Sequence, residues 1–250
     1  MAREKRRQKS NQRPREPVVE KIWKPKTELG KKVQQGEIAD IDQVFDSGEN
    51  IIEAEITEAL LPDLEQDLLL IGQAKGKFGG GQRRIFRQTQ KKTREGNKIY
   101  FQTCALVGNK NGFVGMAIGK SKETVPARDK SVRKAKLKLL KIRRGCGSWE
   151  CGCKDPHSIP FAVEGKSGSC IVKLIPAPKG KGLCIEKESA KVLHMAGIKD
   201  VWSKTVGQTK TKVNLLRALE KALIKLGEVR VSETARQTLG MQEGKLKNDE

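Results

Sequence analysis

Between residues 33 and 144 the chain carries two charge blocks of opposite sign. Residues 33–70 hold 11 Asp/Glu and no Lys or Arg, whereas residues 71–144 hold 21 Lys/Arg against 3 acids. A fold must separate these blocks or press them together, because one surface cannot offer both to the same partner. The acidic block is a poor match for phosphate, so it is expected to cover a basic face of the same chain or to meet a neighbouring protein. A merely solvated acidic surface is the alternative. Over all 250 residues, 51 Lys+Arg against 30 Asp+Glu leave a formal charge of +21, more than solubility requires, which implies a polyanionic partner. Aromatic residues make up only 4%, so stacking on aromatic platforms is not the main mode expected; phosphate contact and shape are.

At 36% hydrophobic residues the chain can build modest cores, and two small domains with tails are expected. The start MAREKRRQKS has no apolar h-region behind it, and no apolar run approaches the ~18–20 residues of a membrane span, so a soluble, non-secreted chain without a membrane partner is expected. Its six cysteines should then be reduced thiols or metal ligands.

Residues 1–32, with 12 Lys/Arg, 4 acids and prolines at 14, 17 and 25, read as a basic disordered arm. An acidic helical segment follows at 33–62, where Ile38, Ile41, Val44 and Phe45, then Ile52, Ile56 and Leu60, recur at helical spacing in two short helices. Residues 63–144 read as a first domain. Strands are expected near 67–75, 99–108 and 112–119, the last two joined by a turn at Asn109-Lys110-Asn111 before Gly112. A helix then starts at an N-cap Ser121 with Val125, Val132, Ala135, Leu139 and Ile142 as its apolar stripe and a basic opposite face. Three strands and a helix with a basic edge predict an α+β, double-stranded-RNA-binding-like βββα domain, which reads A-form backbone rather than sequence. After a Cys/His junction at 145–157, residues 158–235 read as a C-terminal α/β domain. Its strands are 159–165 and 169–177, its basic turn is PKGKG, and its helices 188–197 and 212–227 each end at a C′ glycine. Residues 236–250 read as a frayed tail.

Motifs for catalysis fail. Gly119-Lys120-Ser121 and Gly165-Lys166-Ser167 resemble the end of a phosphate-binding loop, but positions 114 and 160 are Val and Pro where the motif needs glycine. These glycines are expected at strand ends. Two histidines and no GxSxG, HExxH or zinc-deaminase signature leave no enzyme reading, and His194 receives no role. Cys146, Cys151, Cys153 and His157 have the spacing C-x₄-C-x-C-x₃-H, and Gly145, Gly147 and Gly152 allow turns that aim thiolates at one tetrahedral centre. A structural zinc at the domain junction is chemically feasible; a glycine-rich linker with reduced thiols carries equal weight, and iron–sulfur or redox chemistry less. Cys104, Cys170 and Cys184 are expected as small buried hydrophobes.

The run GNKNGFVGMAIGKSKETVPA (108–127) followed by a basic helix resembles the first domain of the small-subunit ribosomal protein S5 family. GKSGSCIVKLIPAPKGKGL (165–183) with MAGIKDVWSKTVG (195–207) resembles its second, βαβ-type domain, and RRGCGSWECGC (143–153) is similar to the archaeal branch. The resemblance covers about residues 28 to 230. It implies a non-enzymatic place in the small subunit of the cytoplasmic ribosome near the decoding region, no required cofactor, and a part in translational accuracy. Implied partners are small-subunit rRNA, neighbouring proteins of the S4 and S8 families, and mRNA near its entry path. A free-standing double-stranded-RNA-binding factor is the alternative. Against the family pattern, residues 72–90 add chain before the family-like loop KKTREGNK (91–98), within a basic hairpin insertion at 73–98, and this extension is expected to be ordered around Ile85 and Phe86, a disordered insertion being the alternative. RNA contacts are therefore expected from Lys75, Lys77, Arg83, Arg84, Arg87, Lys91, Lys92, Arg94, Lys98, Lys120, Lys122 and Arg128, and from Lys179 and Lys181 in the second domain.

Overall fold

The computed structural model describes residues 23–76 and 81–245. Residues 1–22 of the expected arm, Lys77 with its neighbours to 80, and residues 246–250 lie outside the described residues. Strands β1 (Glu65–Leu69), β2 (Arg87–Thr93), β3 (Gly96–Gly108), β4 (Phe113–Ser121) and β5 (Leu139–Lys141) form an antiparallel sheet in the order β1-β3-β4-β5. The 13-residue β3 pairs on one edge with both β2 (through 96–102) and β1 (through 104–108). The β3–β4 turn is set by Asn109, whose Oδ1 accepts from the backbone N–H of Asn111 and of Phe113, and by Gly112 at φ 93°. Before β2, residues 72–75 pair with 82–84, the Gly72 N–H donating to Arg84 O and the Lys75 N–H to Gln82 O, both at 2.8 Å.

Helix α4 (Thr124–Leu137) crosses this sheet. Its N-cap is Glu123, while Ser121 ends β4. The expected stripe holds in part: Ala135 is buried and Val132 packs with it, but Val125 is 66% exposed, and Ala127, Ser131 and Lys136 are buried instead. The cause is proximity. A Cβ on Gly119 would lie 2.3 Å from Ala127 O and one on Gly115 2.3 Å from Ala135 O, so only small residues fit where α4 meets β4. Gly119 thus lies within β4, not at its end. Leu139 leaves the helix for β5 and packs with Phe113 and Ile41.

In the second domain β7 (Val163–Ser167), β8 (Cys170–Pro176), β9 (Leu183–Cys184) and β10 (Val201–Val206) form a sheet in the order β7-β8-β10-β9. Helices α5 (Lys187–Met195) and α6 (Lys212–Glu228) pair with it, α6 burying Leu215, Leu216, Leu219, Leu223 and Leu226 at 3- and 4-residue spacing. Gly165 repeats the Gly119 device inside β7, where an added Cβ would stand 2.0 Å from Ala218 O. Gly197, at φ 79°, follows α5 as expected, whereas Gly227 lies inside α6, which runs on to Glu228. Cys104 and Cys170 are buried; Cys184, against expectation, is exposed because β9 is a two-residue edge strand.

The two domains share one core. Alternate residues of β3 and β4, Cys104, Leu106, Val114 and Met116, face away from α4 and pack with Val192, Leu193, Ala196, Leu215 and Leu216 of α5 and α6. Buried Glu188 adds a polar tie, its Oε2 accepting from the Leu70 N–H at 2.9 Å.

The acidic block forms the two expected short helices, α2 (Ile41–Ser47) and α3 (Ala54–Leu60), and a third, α1 (Glu28–Gln35), runs into it from the expected arm. Leu29, Val44 and Ile56 give them a small core. They dock on the chain's own basic elements, Glu58 pairing with Lys136 and Asp42 and Asp46 with Lys141 at 2.8 and 3.3 Å, while Asp67 of β1 pairs with Lys191 at 3.1 Å. Burial opposes charge on Lys141, but the two aspartates outweigh it and raise its pKa. Residues 23–32, expected within the disordered arm, are held here too, since Glu53 accepts from Trp23 Nε1 and from the Lys26 and Thr27 N–H groups, each at 2.8 Å.

The expected tail also corrects itself. After α7 (Glu233–Thr238) the chain returns so that β11 (Gln242–Glu243) pairs with β6 (Arg143–Arg144). Both arginines are buried and need acceptors. Glu243 and Val229 O serve Arg143, at 2.6 and 2.7 Å, and Gly244 O serves Arg144 at 2.7 Å.

Candidate functional site

Two sites emerge, a basic hairpin face and a Cys/His centre. On the hairpin, residues directly opposite in an antiparallel pair share a face. Arg87 lies opposite Gln102, Lys91 opposite Lys98, and Gln102 opposite Lys120, so Arg87, Lys91, Lys98 and Lys120 line one face together with Tyr100. Lys120 Nζ sits 4.9 Å from the Tyr100 ring centroid, which holds the ammonium by cation–π attraction. The face continues from Cys104 and Leu106, so the second domain borders it. Lys91 opposite Lys98 is a like-charge pair that disfavours the hairpin by itself. The Lys98–Glu95 pair at 3.1 Å is too exposed to offset much of that.

The other expected cations divide. Lys92 lies on the opposite face of the hairpin, Arg94 in its turn, and Lys122 and Arg128 are exposed just beyond β4 and early in α4. Lys75 and Arg84 are exposed on the paired segments 72–75 and 82–84. Arg83 is committed inward, Nη1 donating to Gly72 O at 3.2 Å and Nη2 to Lys210 O at 3.3 Å, so it ties the insertion to the second domain. Lys179 and Lys181 stand apart from the hairpin, in the loop beside the cysteines, with Lys179 paired to Asp155 at 2.6 Å.

The Cys/His centre gathers all four expected donors. The sulfurs of Cys146, Cys151 and Cys153 and a ring nitrogen of His157 lie within 4.8 Å of one another. Sγ–Sγ separations are 3.3 Å for Cys151–Cys153 and 3.6 Å for Cys153–Cys146, and Cys151 Sγ is 3.9 Å from His157 Nε2. A tetrahedral zinc with bonds of about 2.3 Å to sulfur and 2.0–2.1 Å to nitrogen places its ligand atoms about 3.5–3.8 Å apart. The donor set fits. His157 Nδ1 meets Asp200 Oδ2 at 2.9 Å, and with both groups buried this fixes the ring so that Nε2 faces the sulfurs. Asp200 itself is anchored, Oδ1 accepting from the Gly182 N–H at 2.7 Å. The thiols differ: the Lys179 N–H, then that of Cys153, draws Cys151 down to about 6, while burial, then the neighbouring thiols, pushes Cys146 up to about 11. Spacing alone placed the four donors, but Asp200, 43 residues from His157, left no local signal.

A family model of the ribosomal protein S5 N-terminal domain matches residues 85–143, and one of its C-terminal domain matches residues 165–238. The chain is 46% identical over 226 residues to the small ribosomal subunit protein uS5 of Nanoarchaeum equitans, covering 90% of this chain and 97% of that relative. The chain belongs to the ribosomal protein S5 family. The uS5 proteins of Methanococcus maripaludis and Methanocaldococcus jannaschii are 43% and 42% identical over 224 residues, each across 90% of this chain and across 91% and 96% of their own lengths. In S5 terms, the N-terminal match begins at Ile85 and contains the basic hairpin face, while the Cys/His centre lies between the two matched domains. The α+β architecture agrees with both.

Proposed function

We propose that the chain is a structural, non-enzymatic constituent of the small ribosomal subunit that binds small-subunit rRNA through the β2–β3 hairpin face. The observation that carries this reading is the Lys91–Lys98 pair, flanked by Arg87 and Lys120 on the same face. Four cations on one face repel each other until phosphate neutralises them. Three strands with α4 across one side support a double-stranded-RNA-binding-like module that follows backbone shape. Family membership supports a position near the decoding region and the mRNA entry path, beside proteins of the S4 and S8 families, with an effect on translational accuracy. Replacing Lys91 and Lys98 with alanine is expected to lower the magnitude of the log–log salt slope for rRNA binding by roughly 0.7–0.9 per lysine. The same change should leave thermal stability equal or slightly higher, since a like-charge pair is removed. An unaltered slope would overturn the assignment of this face.

At the junction, Cys146, Cys151, Cys153 and His157 would hold a structural zinc, which supplies no chemistry beyond crosslinking the loop. Asp200 orients His157, and the same carboxylate grips Gly182, so the centre ties the junction to the start of β10 and to the loop before β9. Purified protein is expected to contain one equivalent of zinc. Asp200→Asn should weaken zinc binding about 10–100-fold. Protein prepared without chelators that carries zinc below on the order of a tenth of an equivalent would end this reading.

A further inference from the structure

Trp149 stands between two of the zinc donors and is 88% exposed, the one aromatic among the exposed large hydrophobic side chains of the described residues. Folding gives no reason for that exposure in a chain with three tryptophans, since Trp23 and Trp202 are both at least half covered. The loop around Trp149 is held firmly. Ser148 is buried, the Cys151 N–H donates to Ser148 O at 3.2 Å, and the Gly147 N–H donates to Ile159 O at 3.3 Å.

We infer that Trp149 is a stacking platform for one unpaired nucleobase of small-subunit rRNA. This rests on the reading that the Cys/His centre holds zinc and that the chain binds rRNA. The surroundings select the occupant. A protein partner would need a contiguous apolar patch of several hundred Å², whereas the exposed residues that follow Trp149 in the chain are Glu150, Gly152, Cys153, Lys154 and Asp155, with the Lys179-Gly180-Lys181 loop held against Cys151. A lone indole in a polar rim suits a single base, because every base has a π-face to offer. Lys154 and Lys181 supply ammonium groups for the adjoining phosphates, and Lys179 cancels Asp155, an acid that would otherwise repel them. A zinc-fixed loop presents the indole without the entropy of ordering it on contact.

The test uses the full chain and deproteinised small-subunit rRNA. Trp149→Ala is expected to weaken binding about 5- to 150-fold, the span measured when a base–aromatic stack is removed. Trp149→Phe should recover most of that loss, and both variants should keep the parent's zinc content and unfolding midpoint. In a Trp23→Phe, Trp202→Phe background, rRNA should quench the remaining tryptophan; should that background fail to fold, the affinities alone decide. Cys151→Ser should lose zinc and quenching together. A parent without zinc whose Trp149 still quenches would defeat the zinc reading and leave the platform standing. If Trp149→Ala binds rRNA within twofold of the parent while zinc is retained, the platform falls. It falls equally if quenching requires the subunit's protein fraction.

Discussion

Gly165→Val is expected to destabilise the protein by about 3 kcal/mol or more, enough to remove a large part of a domain's usual margin. A side chain there would meet Ala218 O at 2.0 Å and Ala222 N at 2.5 Å, both backbone atoms of α6 that cannot rotate aside. The helix must lift off β7, and the leucine stripe beneath it loses its fit. Gly119→Val should do the same to α4 through Ala127 O and Ser131 N, at 2.3 and 2.6 Å. Gly227 is the control. It sits in α6 with nothing within 4 Å of an added Cβ, so Gly227→Ala should stabilise the protein by about 0.5–1 kcal/mol. Denaturant midpoints at constant m-value measure all three. A near-neutral Gly165→Val would mean that the close helix–strand approach is wrong.

Leu106→Ala is expected to cost about 2–5 kcal/mol and to destabilise both domains at once. Leu106 is fully buried on the sheet face that packs against Leu193, Leu215 and Leu216 of the second domain. Truncating it opens a cavity between the domains, and the strands and helices on either side lose contacts together. Calorimetry should show one transition for the parent and one, at lower temperature, for the variant. Two separate transitions, with only the first shifted, would refute the shared core. The consequence is that the sheet carrying the hairpin face is built on the same core as the second domain.

The acidic block shows how far reading residues can go. Its complete lack of Lys and Arg identified an element with a destination other than phosphate, and the pairs to Lys136, Lys141 and Lys191 supply that destination within the chain. The number of helices was less legible, because α1 begins at Glu28, inside a stretch whose prolines and charge pointed to disorder. What holds that stretch is Glu53, 26 to 30 residues away. The expected α4 stripe was right only at Val132 and Ala135 within the helix, for a related reason. Apolar periodicity marks the face with the largest hydrophobes, yet the buried face is the one with the smallest side chains, since Gly115 and Gly119 bring the strand against the helix backbone.

By itself the sequence determined whatever is written in short spacing: alternating charge blocks, a turn of Asn and Gly between two strands, and four metal-type donors within twelve residues. Each depends on local geometry, where a few residues of chain restrict which side chains can meet. Only the tertiary structure decided the partners across long separations: Asp200 behind His157, Glu243 and Gly244 against Arg143 and Arg144, and one sheet face shared between both domains. Those pairings arise after the local elements exist, when leftover apolar faces must be covered and buried guanidinium groups must find acceptors, and no spacing records which distant segment will supply them.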